Sequence, residues 1–215
     1  MDIKRLSPGD KSAAKLRVGA PPSVPLVLML ANLAPHKGQE TAIRVTAALK
    51  KSGVNSVLWL AGMERGGEQR YTTHLHDLAS ELGVHDRVRF LGHRDDTPDL
   101  LRAVDIFILP SKREGLPLSI LEAQASKVPV LAAPTSGIPE VVIDEKMGFL
   151  ISAEDVSGYA RYITCLLEHS DLYSQITEQA YAKVAKDSTL QAYCQKISRL
   201  YDCLLSTDSK FDAAC

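Results

Sequence analysis

Residues 105–122 read DIFILPSKREGLPLSILE: a short apolar run, a polar loop with one glycine between two prolines, and the start of an amphipathic segment. The apolar run at 105–110 predicts a buried strand, and 118–126 predicts a helix. A strand that leads through a loop into a helix is one half of a βαβ unit. We therefore expect the same alternation along the rest of the chain.

Short apolar runs alternate with helical patterns throughout residues 25–151. Strands are predicted at 25–31, 56–61, 87–91, 105–110, 129–133 and 149–151, and helices at 37–52, 68–82, 98–103, 118–126 and 138–143. This alternation is typical of right-handed βαβ crossovers, which place helices on both faces of a parallel sheet. The sequence predicts an α/β fold with a doubly wound, Rossmann-like parallel sheet, which binds ligands beyond the carboxyl ends of its strands.

The two ends of the chain lack this alternation. Residues 1–24 predict an irregular, linker-like lead-in, because Pro8, Gly9 and a later pair of prolines interrupt them. Three helices are predicted at 154–169, 171–186 and 189–206, the last with a wide apolar stripe. We expect one Rossmann-like domain with C-terminal helices at 25–207 and a tail at 208–215.

The composition argues against several classes of protein. The 215 residues carry 25 Lys+Arg and 26 Asp+Glu, without the basic excess of a nucleic-acid binder. The longest largely apolar run, 24–34, is too short for a membrane-spanning helix, which takes about 20 residues, and the charged N-terminus is unlike a signal peptide. The 4 cysteines include no C-x-x-C pair, and we expect them to be reduced thiols. We expect a cytoplasmic protein without a transmembrane segment or metal site; peripheral contact with a membrane stays open.

The loop within residues 105–122 predicts a seat for an anion. Gly115 lets the backbone approach a ligand closely, and Pro117 suits the first turn of the helix that follows. The free backbone amides of Leu118 and Ser119 then face the expected crevice, where a helix N-terminus attracts phosphate.

Two carboxylates flank this anion seat. Glu114 lies in the loop and Glu122 in the second helical turn, with seven residues between them. One carboxylate can accept two hydrogen bonds, so each fits a vicinal diol of a sugar or a ribose. Taken alone, the two glutamates would be read as ordinary surface charges. The strand, glycine, proline and helix start around them favour the binding hypothesis.

A second loop, ANLAPHKG at 31–38, follows the first predicted strand. Lys37 and Gly38 stand at the start of a predicted helix, where a cation is unfavourable for the helix dipole. Neutralising a phosphate is the simplest reason for a lysine at that place. A Lys-Gly pair at a turn is weak evidence by itself. The hypothesis for this loop therefore depends on the loop within residues 105–122.

Five segments in this order resemble a known family: NLAPHKG at 32–38, RVRFLG at 87–92, LPSKREGLPLSILEA at 109–123, PV at 129–130 and SGIPEVV at 136–142. From about residue 25 to residue 207, the chain resembles the C-terminal, nucleotide-sugar-binding half of GT-B glycosyltransferases of family 4, the glycosyl transferases group 1.

This resemblance implies a UDP-, GDP- or ADP-sugar donor, no further cofactor, and retaining, metal-independent transfer of a hexose. It implies that Lys37 contacts the diphosphate, Glu114 the donor sugar and Glu122 the ribose. A departing nucleoside diphosphate gains negative charge, which a lysine and a helix N-terminus stabilise. Lys37 and Glu114 are therefore the catalytic candidates, and the donor-binding candidates are Asn32, Gly38, Gly115, Leu116, Pro117, Leu118, Ser119 and Glu122.

Two positions depart from the family pattern. Asn32 stands where the family commonly has an arginine, so a hydrogen-bond donor is kept and a charge is lost. Lys127 stands where the family usually has glycine, so a left-handed backbone there would cost about 1 kcal/mol relative to glycine.

The largest departure is the missing N-terminal half, which binds the acceptor in the family. The resemblance therefore predicts a donor-binding half that depends on a separate acceptor-binding half for activity. A non-catalytic nucleotide-sugar-binding or interaction module, from a truncated or split gene, stays open. Half of a sugar-nucleotide epimerase or phosphorylase is a further alternative, which the context of the two glutamates disfavours.

Overall fold

The computed structural model describes residues 1–64 and 70–205. The strands are β1 Leu26–Leu30, β2 Val57–Ala61, β3 Val88–Gly92, β4 Ile106–Leu109, β5 Val130–Ala132 and β6 Phe149–Leu150. The helices are α1 Ile3–Leu6, α2 Lys11–Val18, α3 Gln39–Lys51, α4 Arg70–Glu81, α5 Thr97–Ala103, α6 Leu118–Ala125, α7 Ile138–Val141, α8 Val156–Glu168, α9 Ser170–Asp187 and α10 Leu190–Leu205. Every strand and helix predicted from residue 25 onward is present, with ends that differ by a few residues. The predicted helix start at Glu68, helix end at 206 and tail at 208–215 lie outside the described residues.

The six strands of the described chain form one parallel sheet in the order β3-β2-β1-β4-β5-β6. Among the helices, α3 packs on α4 and α8, while α5 packs on α2 and α6 packs on α9. The expected doubly wound α/β fold is confirmed. The winding reverses between β1 and β4, and in such sheets the ligand crevice lies beyond the carboxyl ends of the strands at this reversal.

The central strands have no solvent-facing side. All four residues of β4 are buried, and so are Leu26, Val27, Leu28 and Met29 of β1. A strand covered by helices on both faces reads as a continuous apolar run rather than an alternating one. For this reason continuous apolar runs in the sequence marked these central strands, with no alternation of polar residues.

Residues 1–24 are not the irregular lead-in that their prolines and glycine predict. They contain α1 and α2, whose N-caps are Asp2 and Asp10. Leu6 and Ala14 are buried in the core, and α2 packs along α5. Helices this short are marginal on their own and depend on tertiary packing, which the local sequence does not reveal.

α10 carries the predicted apolar stripe on its surface. Its exposed large apolar side chains are Leu190, Tyr193, Leu200, Tyr201 and Leu204. In the described parts of the chain, no helix combines the length and the apolar character needed to cross a membrane.

Lys127 has the left-handed backbone that its family position suggested, with a φ of +55°. The residue follows α6 and turns the chain toward β5. Its ammonium group pairs with Glu178 on α9 and lies 5.1 Å from the ring centroid of Tyr181. These side-chain contacts offset part of the backbone strain.

We expect Lys127→Gly to be more stable than Lys127→Ala by about 1 kcal/mol. Both variants lack the contacts with Glu178 and Tyr181, and only alanine keeps a Cβ on the left-handed backbone. Urea unfolding followed by circular dichroism measures the difference in the free energy of unfolding. Equal stabilities would contradict the conformation at this position.

Candidate functional site

The loops that follow β1 and β4 pack against each other where the winding of the sheet reverses. The hydroxyl of buried Ser111 donates a hydrogen bond to the carbonyl oxygen of Lys37 (3.0 Å). Gly38 permits this approach, since its φ is +87° and a Cβ there would lie 2.1 Å from the carbonyl oxygen of Pro110. The two loops that the sequence singled out therefore form one site.

A short ion pair joins these loops. Nζ of Lys37 lies 2.7 Å from Oε2 of Glu114, and the two side chains expose only 20% and 6% of their surface. The resemblance assigned the two residues to different parts of a donor, and the structure places them in direct contact. Each charge therefore has its counter-charge within the site itself. Because the pair is largely buried, solvent screens the attraction between the two groups only weakly.

The amino end of α6 follows Glu114 closely in the chain. The helix begins at Leu118, and Pro117 is its N-cap rather than part of its first turn. Among the described residues, no side chain caps this helix. Its first backbone amides, those of Leu118 and Ser119, also have no intrahelical acceptor, as at the start of any α-helix. An uncapped helix N-terminus is suited to bind an anion. The exposed side chains of Leu116 and Leu118 border this end of the helix.

The loop after β5 supports the same region. The backbone amide of Gly137 donates a hydrogen bond to the carbonyl oxygen of Gly115 (3.2 Å). The hydroxyl of Thr135 donates a hydrogen bond to the backbone carbonyl oxygen of Ser111 (3.1 Å). A Cβ at Gly137 would lie 3.0 Å from the Gly115 carbonyl oxygen. A side chain at that position would therefore crowd the Glu114 loop, which would have to move by a few tenths of an ångström.

Glu122 lies one turn into α6 and opens to a cavity of about 370 Å³. The cavity is lined by Leu118 and Glu122 of α6, Thr97 and Pro98 of α5, and Met1, Asp2, Arg5 and Leu6 in and around α1. Burial raises the pKa of the Glu122 carboxyl, and the charge of Arg5 counters part of that rise. A half-buried carboxylate in a cavity of this size can accept the hydrogen bonds of a diol.

Asn32 lies beside Lys37 in a second cavity of about 560 Å³. Its backbone carbonyl oxygen accepts a hydrogen bond from Nε2 of buried Gln39 (2.9 Å), the first residue of α3. This bond ties the loop after β1 to the helix that follows it. The position of Lys37 therefore depends on the buried side-chain amide of Gln39 as well as on Gly38.

The structure groups most of the predicted site residues. Lys37 contacts Glu114, and Gly38 packs against Pro110. Residues 115–119 continue from Glu114, whereas Glu122 lines the neighbouring cavity. Sequence reasoning missed the polar side chains that hold the loops: buried Ser111 and Gln39, and half-buried Thr135. The available signal was a polar residue next to the end of a buried strand or at the start of a helix.

We expect Gly38→Ala to lower the free energy of unfolding by about 3 kcal/mol, because strain at positive φ adds to a clash with Pro110. Gly53→Ala is the matched control, since Gly53 has a φ of +84° and a Cβ there would have nothing within 4 Å. The control should lose only about 1 kcal/mol. Urea unfolding measures both variants, and equal losses would contradict the close approach of the two loops.

We expect Glu122→Gln to stabilise the chain at neutral pH. Because burial raises the pKa of Glu122, the folded chain holds this proton more tightly than the unfolded chain. The free energy of unfolding therefore falls as pH rises from the ordinary carboxyl range through the raised pKa. The advantage of the variant in Tm should be small near about pH 4 and larger at about pH 7. Exposed Glu81→Gln controls for the lost charge, and a gap that is constant with pH would contradict the argument.

The family model for glycosyl transferases group 1 matches residues 10–183. The D-inositol 3-phosphate glycosyltransferase 2 of Catenulispora acidiphila is 34% identical over 192 residues, which cover 86% of this chain and 45% of the relative. The lipopolysaccharide core biosynthesis glycosyltransferase LpsE of Rhizobium meliloti is 32% identical over 188 residues, which cover 86% of this chain and 53% of the relative. The chain thus spans about half the length of these curated relatives.

Solved structures share the fold. Anabaena Alr3699/HepE in complex with UDP and glucose superposes with a TM-score of 0.86 at 28% identity, over 94% of this chain and 55% of that one. The C-terminal domain of the group 1 protein LpcC from Francisella tularensis superposes with a TM-score of 0.78 at 21% identity, over 88% of this chain and 99% of that one. Together with the family match over residues 10–183, these comparisons identify the chain as a member of the glycosyl transferases group 1 family, with the fold of a C-terminal GT-B domain.

Proposed function

We propose that this chain is the donor-binding domain of a glycosyltransferase and that it binds a nucleoside diphosphate sugar for retaining, metal-independent transfer. One observation carries the proposal: the Lys37–Glu114 ion pair lies at the reversal of the sheet, directly before the uncapped amino end of α6. A cation from the loop after β1 and an open helix N-terminus after the β4 loop form a site for a diphosphate.

The Lys37–Glu114 pair gives each partner a role once a donor binds. The diphosphate takes the place of Glu114 on Lys37, and the freed carboxylate of Glu114 binds hydroxyls of the donor sugar. As the bond to the sugar breaks, negative charge grows on the leaving diphosphate, and Lys37 and the α6 amides stabilise it. These groups supply the positive potential that a metal ion supplies elsewhere, and this supports a metal-independent reaction.

The donor is proposed to be a UDP-sugar. HepE, whose fold this chain shares, was solved with UDP and glucose and with UDP-glucose. Glu122 lies along α6 from the proposed diphosphate seat, in a cavity large enough for a nucleoside. A ribose diol fits its carboxylate. Transfer with retention rests on the likeness to family 4 glycosyltransferases.

The acceptor is proposed to bind a separate N-terminal half. The chain covers 45% and 53% of the two relatives described above. A second candidate function is a non-catalytic module that binds a nucleotide sugar without turning it over. The two candidates differ in transfer activity and not in donor binding.

We expect calorimetric titration to separate the two parts of the site. Glu122→Ala should weaken binding of UDP about tenfold and leave pyrophosphate unaffected, because only UDP carries a ribose. Lys37→Met/Glu114→Gln should weaken both ligands by a similar factor. The double variant is used because Lys37→Met alone would leave a buried carboxylate without its cation.

The outcomes distinguish the candidates. A wild-type chain that binds neither ligand, or a double variant that binds both normally, would contradict the proposed site. Where UDP binds, glucose transfer is assayed with and without an added N-terminal half. Binding without transfer in both settings would support the non-catalytic module.

A further inference from the structure

α1 is anchored to the two helices that carry the cavity beside Glu122. Leu6 is buried, and its carbonyl oxygen accepts a hydrogen bond from the hydroxyl of Ser126 (2.9 Å), just beyond the end of α6. Arg102 of α5 donates to the carbonyl oxygen of Arg5 (2.6 Å). Contacts with both α5 and α6 therefore fix α1 in its place.

This anchoring puts Arg5 into the wall of the cavity. Arg5 is the only basic side chain among the described residues that line it, and its charge acts on the Glu122 carboxyl. Asp2, the acidic residue that this segment contributes to the cavity lining, is the N-cap of α1 and accepts hydrogen bonds from the amides of Lys4 and Arg5. Arg5 is exposed, so its guanidinium is available to a ligand.

The remaining wall suits a flat ring. Leu6, Pro98 and Leu118 supply apolar surface from α1, α5 and α6. A guanidinium can stack on an aromatic ring or donate to carbonyl oxygens of a base. α1 precedes the segment that matches the family model, which begins at residue 10. The part of the wall that α1 contributes therefore lies outside the family match.

We propose that α1 forms one wall of the nucleoside pocket, in which Arg5 contacts the base while Glu122 binds the ribose. The inference rests on the proposed function, because it requires a nucleoside diphosphate bound along α6. It adds that nucleoside affinity depends on a residue of α1.

The test is calorimetric titration of the full chain with UDP, GDP and ADP, and with pyrophosphate. Arg5→Ala should weaken the tightest-binding nucleotide about tenfold, the size of one charge-assisted hydrogen bond, and leave pyrophosphate unchanged. Lys4→Ala removes the same charge from the same helix at a position that does not line the cavity, and should change neither affinity. Arg5→Lys should restore only part of the affinity, because an ammonium group lacks the planar fork.

The possible outcomes test the role of Arg5 separately from the proposed function. Equal nucleotide affinity in Arg5→Ala and wild type would overturn the inference, and so would equal losses in Arg5→Ala and Lys4→Ala. A wild-type chain that binds pyrophosphate but no nucleotide would overturn it while leaving the diphosphate seat intact. A chain that binds neither would overturn the proposed function as well.

Discussion

The contact between the loops after β1 and β4 is the constraint on which the site depends. The loops meet because their strands are neighbours at the reversal of a doubly wound sheet, and they meet closely because residue 38 is a glycine. A side chain at this position would occupy the space of the Pro110 carbonyl group. Only with this contact in place can Lys37 reach Glu114, which lies in the loop that leads into α6.

The ion pair that results has two physical roles. A carboxylate as buried as that of Glu114 would be costly without a cation, so Lys37 maintains the folded loop. The same lysine is the cation in the site proposed for the diphosphate. The same ion pair therefore affects both ligand binding and the stability of the fold, and removing either partner alone changes the ligand affinity and the stability.

Much of this architecture could be predicted from the sequence. Parallel strands buried on both faces must be apolar throughout, so β1 and β4 were recognisable as continuous runs, and glycine and proline marked the loops between elements. Because the carboxyl ends of parallel strands share one edge of the sheet, the loops after β1 and β4 were expected at that edge. The left-handed backbone at Lys127 followed from a family glycine at that position.

Other features were not readable from local sequence. α1 and α2 are short and hold their shape through buried Leu6 and Ala14, so their stability lies in tertiary contacts that no window of sequence contains. The Lys37–Glu114 distance, the hydrogen bond from Ser111 and the separate cavity of Glu122 are likewise products of packing. The residue types were predictable, and their mutual contacts were not.

Lys37 and Glu114 stand 77 residues apart along the chain. Ribosomal synthesis releases the amino-terminal elements first, so β1, α3 and β2 are outside before β4 has been made. Pairing between such distant segments is slow to form because a long loop must close. During translation, Lys37 therefore has no counter-charge from Glu114 until the second half of the sheet has emerged and joined β1.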